Sequence, residues 1–420
     1  MSLPLMVEIK QNFPRRGLPD VPAAVREQLQ RSCLTQIIVP GQKVGITAGS
    51  RGITNIVPIL AEIVLFVKSL GANPVILAAM GSHGGGTAAG QRAILADLGI
   101  TPENVGAPVH AGADCRQVGK LENGTPVFIT EIARACDAII VVNRVKPHTS
   151  FHGPAESGLQ KIITVGLGGP EGARALHRLG AAALPEVIPA AARLLMGKLP
   201  IVLGLAILED AYEDTMQVTA IPPKQLAQVE EKLLDTARSA MPRLPVESLD
   251  LLIVEQMGKN FSGTGMDTNI IGRMHIQGVP EPAKPFIQRI AVLDLSPESH
   301  GNANGIGLAD FTTRRLVDKI DFQATMLNVL TSTFVKRAMV PLTLPDDRAA
   351  IVTALRSLGS IKPAEARVLH IMNTLHLTAM RASAKLLPEL RENPAIEIIG
   401  APAPMHFDYH GNLLDTCCKK

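Results

Sequence analysis

The sequence has few of the features that mark nucleic-acid-binding proteins. It contains no tryptophan, two tyrosines and ten phenylalanines in 420 residues, which is too few aromatic side chains for a platform on which single-stranded bases stack. Its 41 basic and 38 acidic residues nearly balance, so the net charge is only +3, and no basic block is present. We therefore expect no nucleic-acid partner.

Long hydrophobic runs and a dense set of cysteines are also missing. The most apolar stretch, residues 199–208, has about half of the length that a bilayer requires. The first ten residues lack a basic region followed by an apolar core, so no secretory signal is predicted. Five cysteines are too few for a disulfide framework in a chain of this length, and the odd number fits a reducing compartment. We expect a cytoplasmic protein with no membrane partner, and Cys417 and Cys418 in a frayed tail.

What the sequence does contain is an alternation of short apolar runs with longer helical patterns. In the first part of the chain, strands are predicted at 43–47, 74–79 and 137–143, and helices at 55–70 and 88–98. A charged helix at 225–240 and a proline-containing linker at 241–247 then precede strands at 249–255 and 289–295. This alternation is typical of βαβ units around a parallel sheet.

The predicted fold class is therefore α/β, with two α/β domains, mainly parallel sheets and a cleft between them. Residues 1–245 are assigned to an N-terminal domain and residues 246–400 to a C-terminal domain. Residues 401–420 are predicted to form a C-terminal segment that packs back on the first domain.

Polar clusters follow two of the predicted strands, at the points where ligands bind in open parallel sheets. The first cluster, residues 49–52, holds Arg51, and an arginine there can clamp a carboxylate or phosphate. The second, residues 81–87 (GSHGGGT), places His83 before a predicted helix whose N-cap is Thr87 and whose start favours neutral imidazole. This loop lacks the Lys-Ser/Thr ending of a phosphate-binding P-loop. Taken singly, each cluster also fits a surface arginine or a structural glycine turn.

The densest cluster follows the buried strand at 137–143. Residues 143–153 hold His148 and His152, but Pro147 and Gly153 argue against a helix, so a metal shared by these two histidines is disfavoured. Lys161 lies in an apolar context that can lower its pKa and make it a nucleophile or covalent anchor; a snorkelling lysine is the alternative. His177 follows sixteen residues later, with a structural histidine as its alternative.

Taken together, these residues resemble the nickel-dependent lactate racemase family, over about residues 51–177. The resemblance implies that Lys161 holds the cofactor covalently and that His177 is the protein ligand to the metal. It also implies that His83 and His148 act as acid and base on either side of the substrate, and that Arg51 helps to hold the substrate.

The same resemblance implies a cofactor and a reaction. The cofactor is a nickel-pincer nucleotide, nickel pyridinium-3,5-bisthiocarboxylic acid mononucleotide, and the enzyme class is an isomerase. The expected function is racemisation or epimerisation of a small-molecule 2-hydroxy acid by proton-coupled hydride transfer to the bound cofactor. The enzymes of cofactor biosynthesis are expected as transient partners, and a homo-oligomer is left open.

The second half of the chain departs from the family pattern. The family has a Tyr-Gln-x-x-Lys pattern after an Asp-x-Asn segment, whereas residues 267–269 are followed here by Ile-Ile-Gly-Arg, and the family's tryptophan is absent. Arg273 is therefore the candidate for substrate binding and Lys259 for cofactor binding, with His275 as a further cation. The glycine- and asparagine-rich loop at 300–307 either faces the cleft or is a structural turn. The identity of the 2-hydroxy acid stays open.

Two other functions are compatible with the residues alone. One is a hydrolase with zinc or iron bound by some of His83, His148, His152 and His177. The other is a non-catalytic protein that binds a carboxylate or nucleotide, with the glycine loops as anion sites.

Overall fold

The computed structural model describes residues 2–417, and the chain divides into two compact units. The N-terminal unit is Arg15–Met241. The C-terminal unit combines the first fourteen residues of the chain with the residues from Pro242 onward. The boundary at 241/242 lies at the start of the predicted linker.

The N-terminal unit is built on a parallel sheet that is covered on both faces. The chain begins with β1 (Met6–Gln11), which belongs to the other unit. The strands of the N-terminal unit are β2 (Lys43–Ala48), β3 (Asn73–Ala78), β4 (Val109–His110), β5 (Cys115–Lys120), β6 (Pro126–Thr130), β7 (Ala138–Arg144), β8 (Ile201–Glu209) and β9 (Thr215–Ile221). Six of them form one sheet in the order β4-β3-β2-β7-β8-β9, in which only β9 runs antiparallel to its neighbour, and β5 pairs with β6.

Helices and apolar clusters on the two faces of this sheet form its core. The helices are α1 (Val21–Arg31), α2 (Leu34–Ile37), α3 (Ile56–Ser69), α4 (Ala88–Asp97), α5 (Pro102–Val105), α6 (Glu131–Arg134), α7 (Leu159–Lys161), α8 (Gly169–His177), α9 (Leu184–Met196) and α10 (Leu226–Ala240). Short 3₁₀ turns lie at Gly84–Gly86, Ala181–Ala183 and Pro223–Gln225, and a π turn at Ile162–Gly166. Ile139 and Val141 pack in one apolar cluster, whereas Ile140 and Val142 pack in the other. Strand β7 is thus buried on both faces, as its continuous apolar run predicts.

The C-terminal unit has a mixed sheet of eight strands. Its further strands are β10 (Ser248–Met257), β11 (Phe286–Leu295), β12 (Phe311–Thr313), β13 (Leu342–Leu344), β14 (Val368–Ile371), β15 (Ala379–Ser383) and β16 (Ile396–Ala403). Its helices are α11 (Thr268–Ile271), α12 (Arg314–Val317), α13 (Phe322–Ser332), α14 (Asp347–Arg356) and α15 (Leu387–Arg391), with 3₁₀ turns at Pro297–Ser299, Ile306–Leu308, Val335–Ala338, Pro363–Glu365 and Ala384–Leu386. The order is β13-β12-β11-β10-β14-β15-β1-β16, parallel from β13 to β14 and antiparallel beyond.

The predicted α/β class is confirmed, but both ends of the chain differ from the predicted domain assignment. Strand β1 pairs with β15 and β16, so it completes the sheet of the C-terminal unit rather than the first domain. The C-terminal segment also packs on that unit: the backbone N–H of Cys417 donates to Oε1 of Glu255 at 2.6 Å. Both terminal segments contact residues that lie far away in the sequence, so a local pattern does not indicate the unit to which they belong.

Within the described residues, no single helix combines the length and apolar character needed to cross a membrane. Two helical segments, Gly169–His177 and Ala181–Met196, reach that length and apolar character only when they are counted together, and the chain bends by 99° between them.

Candidate active site

Arg51 lies in the loop that follows β2 and carries a charge that no described residue neutralises. Its guanidinium makes no hydrogen bond or ion pair within residues 2–417, although the neighbouring Arg144 at the end of β7 pairs with Glu209. The surrounding protein and the charge of Arg144 lower the pKa of Arg51, while its side chain stays accessible to solvent. An accessible guanidinium of this kind suits a carboxylate or phosphate.

Lys161 ends the single turn of α7 and leads directly into the π turn at Ile162–Gly166. The side chain is half-buried, and its amine makes no hydrogen bond or ion pair with the described part of the chain. Burial and, to a smaller extent, the charge of Arg51 lower the pKa of Lys161 to about 8, although Glu156 acts in the opposite direction. The effect of Arg51 shows that the structure brings these two basic groups close together.

His177 is the last residue of α8. A helix C-terminus normally favours the protonated form of histidine, but here burial and the charge of Lys161 lower the pKa of His177 to about 4. The ring is therefore neutral at neutral pH, which is the form that binds metal ions. The structure thus places Arg51, Lys161 and His177 in one electrostatically coupled group.

A glycine lies between the turn that follows Lys161 and the helix that ends at His177. Gly169 adopts a left-handed conformation with a φ of +64°, and a Cβ atom there would lie 2.5 Å from Sγ of Cys115. The π turn and α8 therefore meet at a residue that has to be glycine. The glycines of this segment thus allow close packing.

The loop that carries His148 is folded around a buried carboxylate. Glu156 accepts hydrogen bonds from the backbone N–H of His148 at 2.6 Å, from that of Gly153 at 3.1 Å and from Nη2 of Arg238 at 2.6 Å. Burial alone would raise the pKa of Glu156, but these hydrogen bonds and that with His152 bring it below its ordinary value. The loop is irregular, as Pro147 and Gly153 predict.

The ring of His148 is fixed by its own loop. Nδ1 accepts the backbone N–H of Ser150 at 3.1 Å, and the ring stacks on Phe151 with centroids 4.3 Å apart. Because an accepting nitrogen carries no proton, the neutral ring carries its proton on Nε2. In this conformation Nε2 of His148 can serve as a hydrogen-bond donor, and the ring can take up a proton on Nδ1 only after that atom leaves the N–H of Ser150.

His83 is exposed at the start of the glycine-rich turn after β3. Its backbone N–H donates to the carbonyl oxygen of Met80 at 3.1 Å. The three glycines that follow have φ values of +66°, +66° and +67°, a run that only glycine sustains. Thr87 then caps α4 by accepting the N–H of Gly90 at 3.1 Å, as predicted.

Two buried acidic residues that contact the segments carrying His148 and Lys161 are not predicted from the sequence. They are Glu156 and Glu230, the latter in α10. The Glu230 carboxylate accepts the backbone N–H of Gln160, at 3.3 and 3.2 Å from its two oxygens, at the start of the helical run that carries Lys161. Burial raises the pKa of Glu230 to about 7 against the effect of these hydrogen bonds. No local spacing signals the role of Glu230, because its partner lies 70 residues away in the sequence.

The three cationic candidates from the C-terminal half of the sequence all make contacts within their own unit. Arg273 donates to Asp310 and to the carbonyl oxygens of Leu308 and Ile287, all within 3.0 Å. Its guanidinium thus has partners within the C-terminal unit, and a substrate-binding role of Arg273 stays a prediction.

Lys259 and His275 also have contacts in their own unit. The amine of Lys259 donates to the carbonyl oxygen of Gly263 at 2.6 Å and to Asn328 at 2.5 Å, and Nδ1 of His275 lies 2.7 Å from the carbonyl oxygen of Gly307. In the loop at 300–307, Ala303 and Ile306 are fully buried, which favours a structural turn. A cofactor-binding role of Lys259 stays a prediction.

The histidines do not form the metal cluster that a hydrolase would need. Within residues 2–417, the one group of three or more ligating side chains whose donor atoms lie within 4.8 Å of one another is Glu255, His370 and Cys417. His152 instead contacts the carboxylate of Glu156 at 3.3 Å. The hydrolase interpretation therefore loses its geometric basis.

Comparison with known families covers the segment that holds the coupled group. Residues 16–186 match the family model described as the lactate racemase N-terminal domain. The matched segment of the N-terminal unit is thus similar to the lactate racemase N-terminal domain. All five of the residues Arg51, His83, His148, Lys161 and His177 lie within the matched range.

A solved structure extends the similarity in fold to most of the chain. The lactate racemase apoprotein from Thermoanaerobacterium thermosaccharolyticum is similar with a TM-score of 0.51 and 13% sequence identity, over 84% of this chain and 95% of that one. A protein from Thermotoga maritima gives a TM-score of 0.49 and 16% identity, over 67% of this chain and 72% of that one. No curated protein sequence matches.

Proposed function

We propose that this lactate racemase-like chain racemises or epimerises a 2-hydroxy acid, using a nickel-pincer nucleotide attached to Lys161. The observation that carries the proposal is the coupled group of Arg51, Lys161 and His177. Their side chains have no hydrogen-bond or ion-pair partner within residues 2–417, and burial together with a neighbouring charge of the group lowers the pKa values of Lys161 and His177. Basic groups arranged in this way favour a ligand that is anionic, electrophilic or both.

The donor set fits the proposed cofactor. With a pKa of about 8, the Lys161 amine is partly neutral near pH 7 and can form the covalent attachment. The neutral imidazole of His177 offers the single nitrogen ligand that a square-planar nickel(II) ion would need beside one carbon and two sulfur ligands. When bound, the nucleotide would supply a hydride acceptor at the metal.

The other residues would bind the acid and move its hydroxyl proton. Arg51 would hold the carboxylate through paired hydrogen bonds, which keeps the 2-carbon in place while its two faces are exchanged. His83 and His148 would exchange the hydroxyl proton, one for each face. For His148, proton uptake requires Nδ1 to leave the N–H of Ser150.

The test is the mass of the denatured chain together with metal analysis, after co-expression with the pincer-nucleotide biosynthetic enzymes, its proposed transient partners. We expect a mass increase that maps to Lys161, nickel in the native sample and neither in Lys161→Arg. His83→Ala and His148→Ala should keep the adduct but lose about 10²-fold or more in turnover of 2-hydroxy acids. An unmodified chain, in cells that load a known lactate racemase, would contradict the proposal.

A further inference from the structure

The C-terminal unit holds a second group of ligating side chains that the proposed reaction does not use. We propose that Glu255, His370 and Cys417 form a binding site for a divalent transition-metal ion of the zinc class. The three come from separate segments: Glu255 from β10, His370 from the adjacent parallel strand β14, and Cys417 from the C-terminal segment. One donor atom from each lies within 4.8 Å of the others.

The side chain that points to a missing ligand is His370. It is 3% exposed, and its Nε2 atom contacts Oε1 of Glu255 at 2.9 Å without the alignment of a hydrogen bond. A buried polar atom without a hydrogen bond is costly. Tetrahedral zinc, with bonds of about 2.0 Å to nitrogen and oxygen, separates two such atoms by about 3.3 Å. A small outward movement of the Glu255 carboxylate would therefore admit the ion.

Cys417 provides the donor that selects the metal. Its thiol is buried and donates to the carbonyl oxygen of His370 at 3.2 Å. Burial and the carboxylate of Glu255 raise the pKa of the Cys417 thiol well above its ordinary value, so without metal it is protonated. Binding would form the metal–sulfur bond and release the thiol proton to solvent. A set of one sulfur, one nitrogen and one oxygen donor favours zinc over magnesium or calcium.

The charges around the site are compatible with a cation. Arg381 also acts on the thiol, but its guanidinium lies 3.7 Å from Asp415, which partly offsets its charge. The side chain of Glu255 is 17% exposed and leaves a path for water to the fourth coordination position. A bound ion would fasten the C-terminal segment to two central strands of the sheet.

The experiment uses full-length protein made without the pincer-nucleotide enzymes, with zinc ion alone as the probe, so that its outcome does not depend on the proposed function. His177→Ala serves as the background, because it removes the imidazole of the other site. Titration against a chromophoric chelator should show one zinc per chain and release of about one proton. Cys417→Ser and His370→Gln should each weaken binding at least tenfold, whereas Cys33→Ser, which changes an exposed cysteine of the N-terminal unit, should not.

A measurement on the wild-type chain covers the case in which a variant does not fold. Zinc should slow alkylation of Cys417, followed by peptide mass mapping, and should leave alkylation of Cys33 unchanged. Three results would each overturn the proposal: no stoichiometric zinc binding, undiminished binding by folded Cys417→Ser, or equal alkylation of Cys417 with and without zinc.

Discussion

Arg238 on α10 donates from Nη2 to Oε1 of Glu156 at 2.6 Å. This contact ties a helix to the carboxylate around which the His148 loop is folded. Glu156 is fully buried, whereas the second carboxylate that contacts Arg238, that of Asp235, is 70% exposed. The two ion pairs share one guanidinium but differ in solvent access, so their contributions to stability can be separated experimentally.

Glu156→Gln should destabilise the chain by about 1–3 kcal/mol, because one buried donor loses its acceptor. The matched control, Asp235→Asn, should cost less than about 1 kcal/mol. The lowered pKa of Glu156 stabilises the fold above pH 4.5, the ordinary value for glutamate, and this contribution is lost as the pH falls through the lower native value. Urea unfolding of wild type and both variants at pH 7 and pH 3.5 measures it, and equal losses for the two variants would contradict the prediction.

Lys161 should react with acylating reagents at a pH where ordinary lysines do not. With a pKa of about 8, about a tenth of its amines are neutral at pH 7, against on the order of one in 2,500 for an ordinary lysine. Labelling of the cofactor-free chain, mapped by mass spectrometry, should follow a titration near pH 8. Exposed Lys198 on the same unit is the internal reference.

Arg51→Gln should move that labelling curve to higher pH. The charge of Arg51 lowers the pKa of Lys161, so its removal raises the pKa and slows labelling at pH 7. Arg92→Gln, at an exposed position of α4, is the control. A labelling curve that does not move in Arg51→Gln would show that the two residues are not coupled.

His177 should make the fold sensitive to mild acid. Its pKa is about 4 in the fold and about 6.5 when unfolded, so between these values the unfolded chain binds a proton that the native chain does not. Stability from this group is therefore lost as the pH falls from 6.5 to 4. His177→Gln should flatten that slope in urea unfolding, and Lys161→Met should narrow the window because it removes the neighbouring charge. A wild-type slope retained in both variants would count against the assignment.

Glu230 should make the fold less stable as the pH rises, which is opposite to the effect of His177. Its native pKa of about 7 lies above the ordinary 4.5, so the unfolded chain releases a proton first and stability falls as the pH rises from 4.5 to 7. Glu230→Gln should be at least as stable as wild type at pH 8 and relatively less stable at pH 5, with exposed Glu231→Gln on the same helix as the control. A constant difference at both pH values would indicate an ordinary ionised carboxylate.

The sequence predicts well those features that depend on neighbouring residues. The continuous apolar run of β7 is buried on both faces, and Thr87 caps α4 as expected. Lys161 and His177 lie in one segment of helical turns, interrupted at Gly169, whereas their roles stay predictions. In each case the cause and its effect lie within a few turns of chain.

Features that depend on distant partners could not be predicted in the same way. Arg273 is a lone cation in the sequence, but its partner Asp310 lies 37 residues away. The sequence predicts Cys417 to lie in a frayed tail, but its side chain is buried against the backbone of His370. Glu230 likewise contacts a helix 70 residues earlier. Such pairings are set by how the strands and helices are arranged in space, which a local pattern does not encode.

The position of β1 has a consequence for the order in which the protein can assemble. The ribosome makes this strand before the whole N-terminal unit, whereas its two neighbours, β15 and β16, are made only after that unit. During synthesis the N-terminal unit can therefore fold while the hydrogen-bonding groups of residues 6–11 are still unpaired. The eight-stranded sheet becomes continuous only when β1 meets β15 and β16.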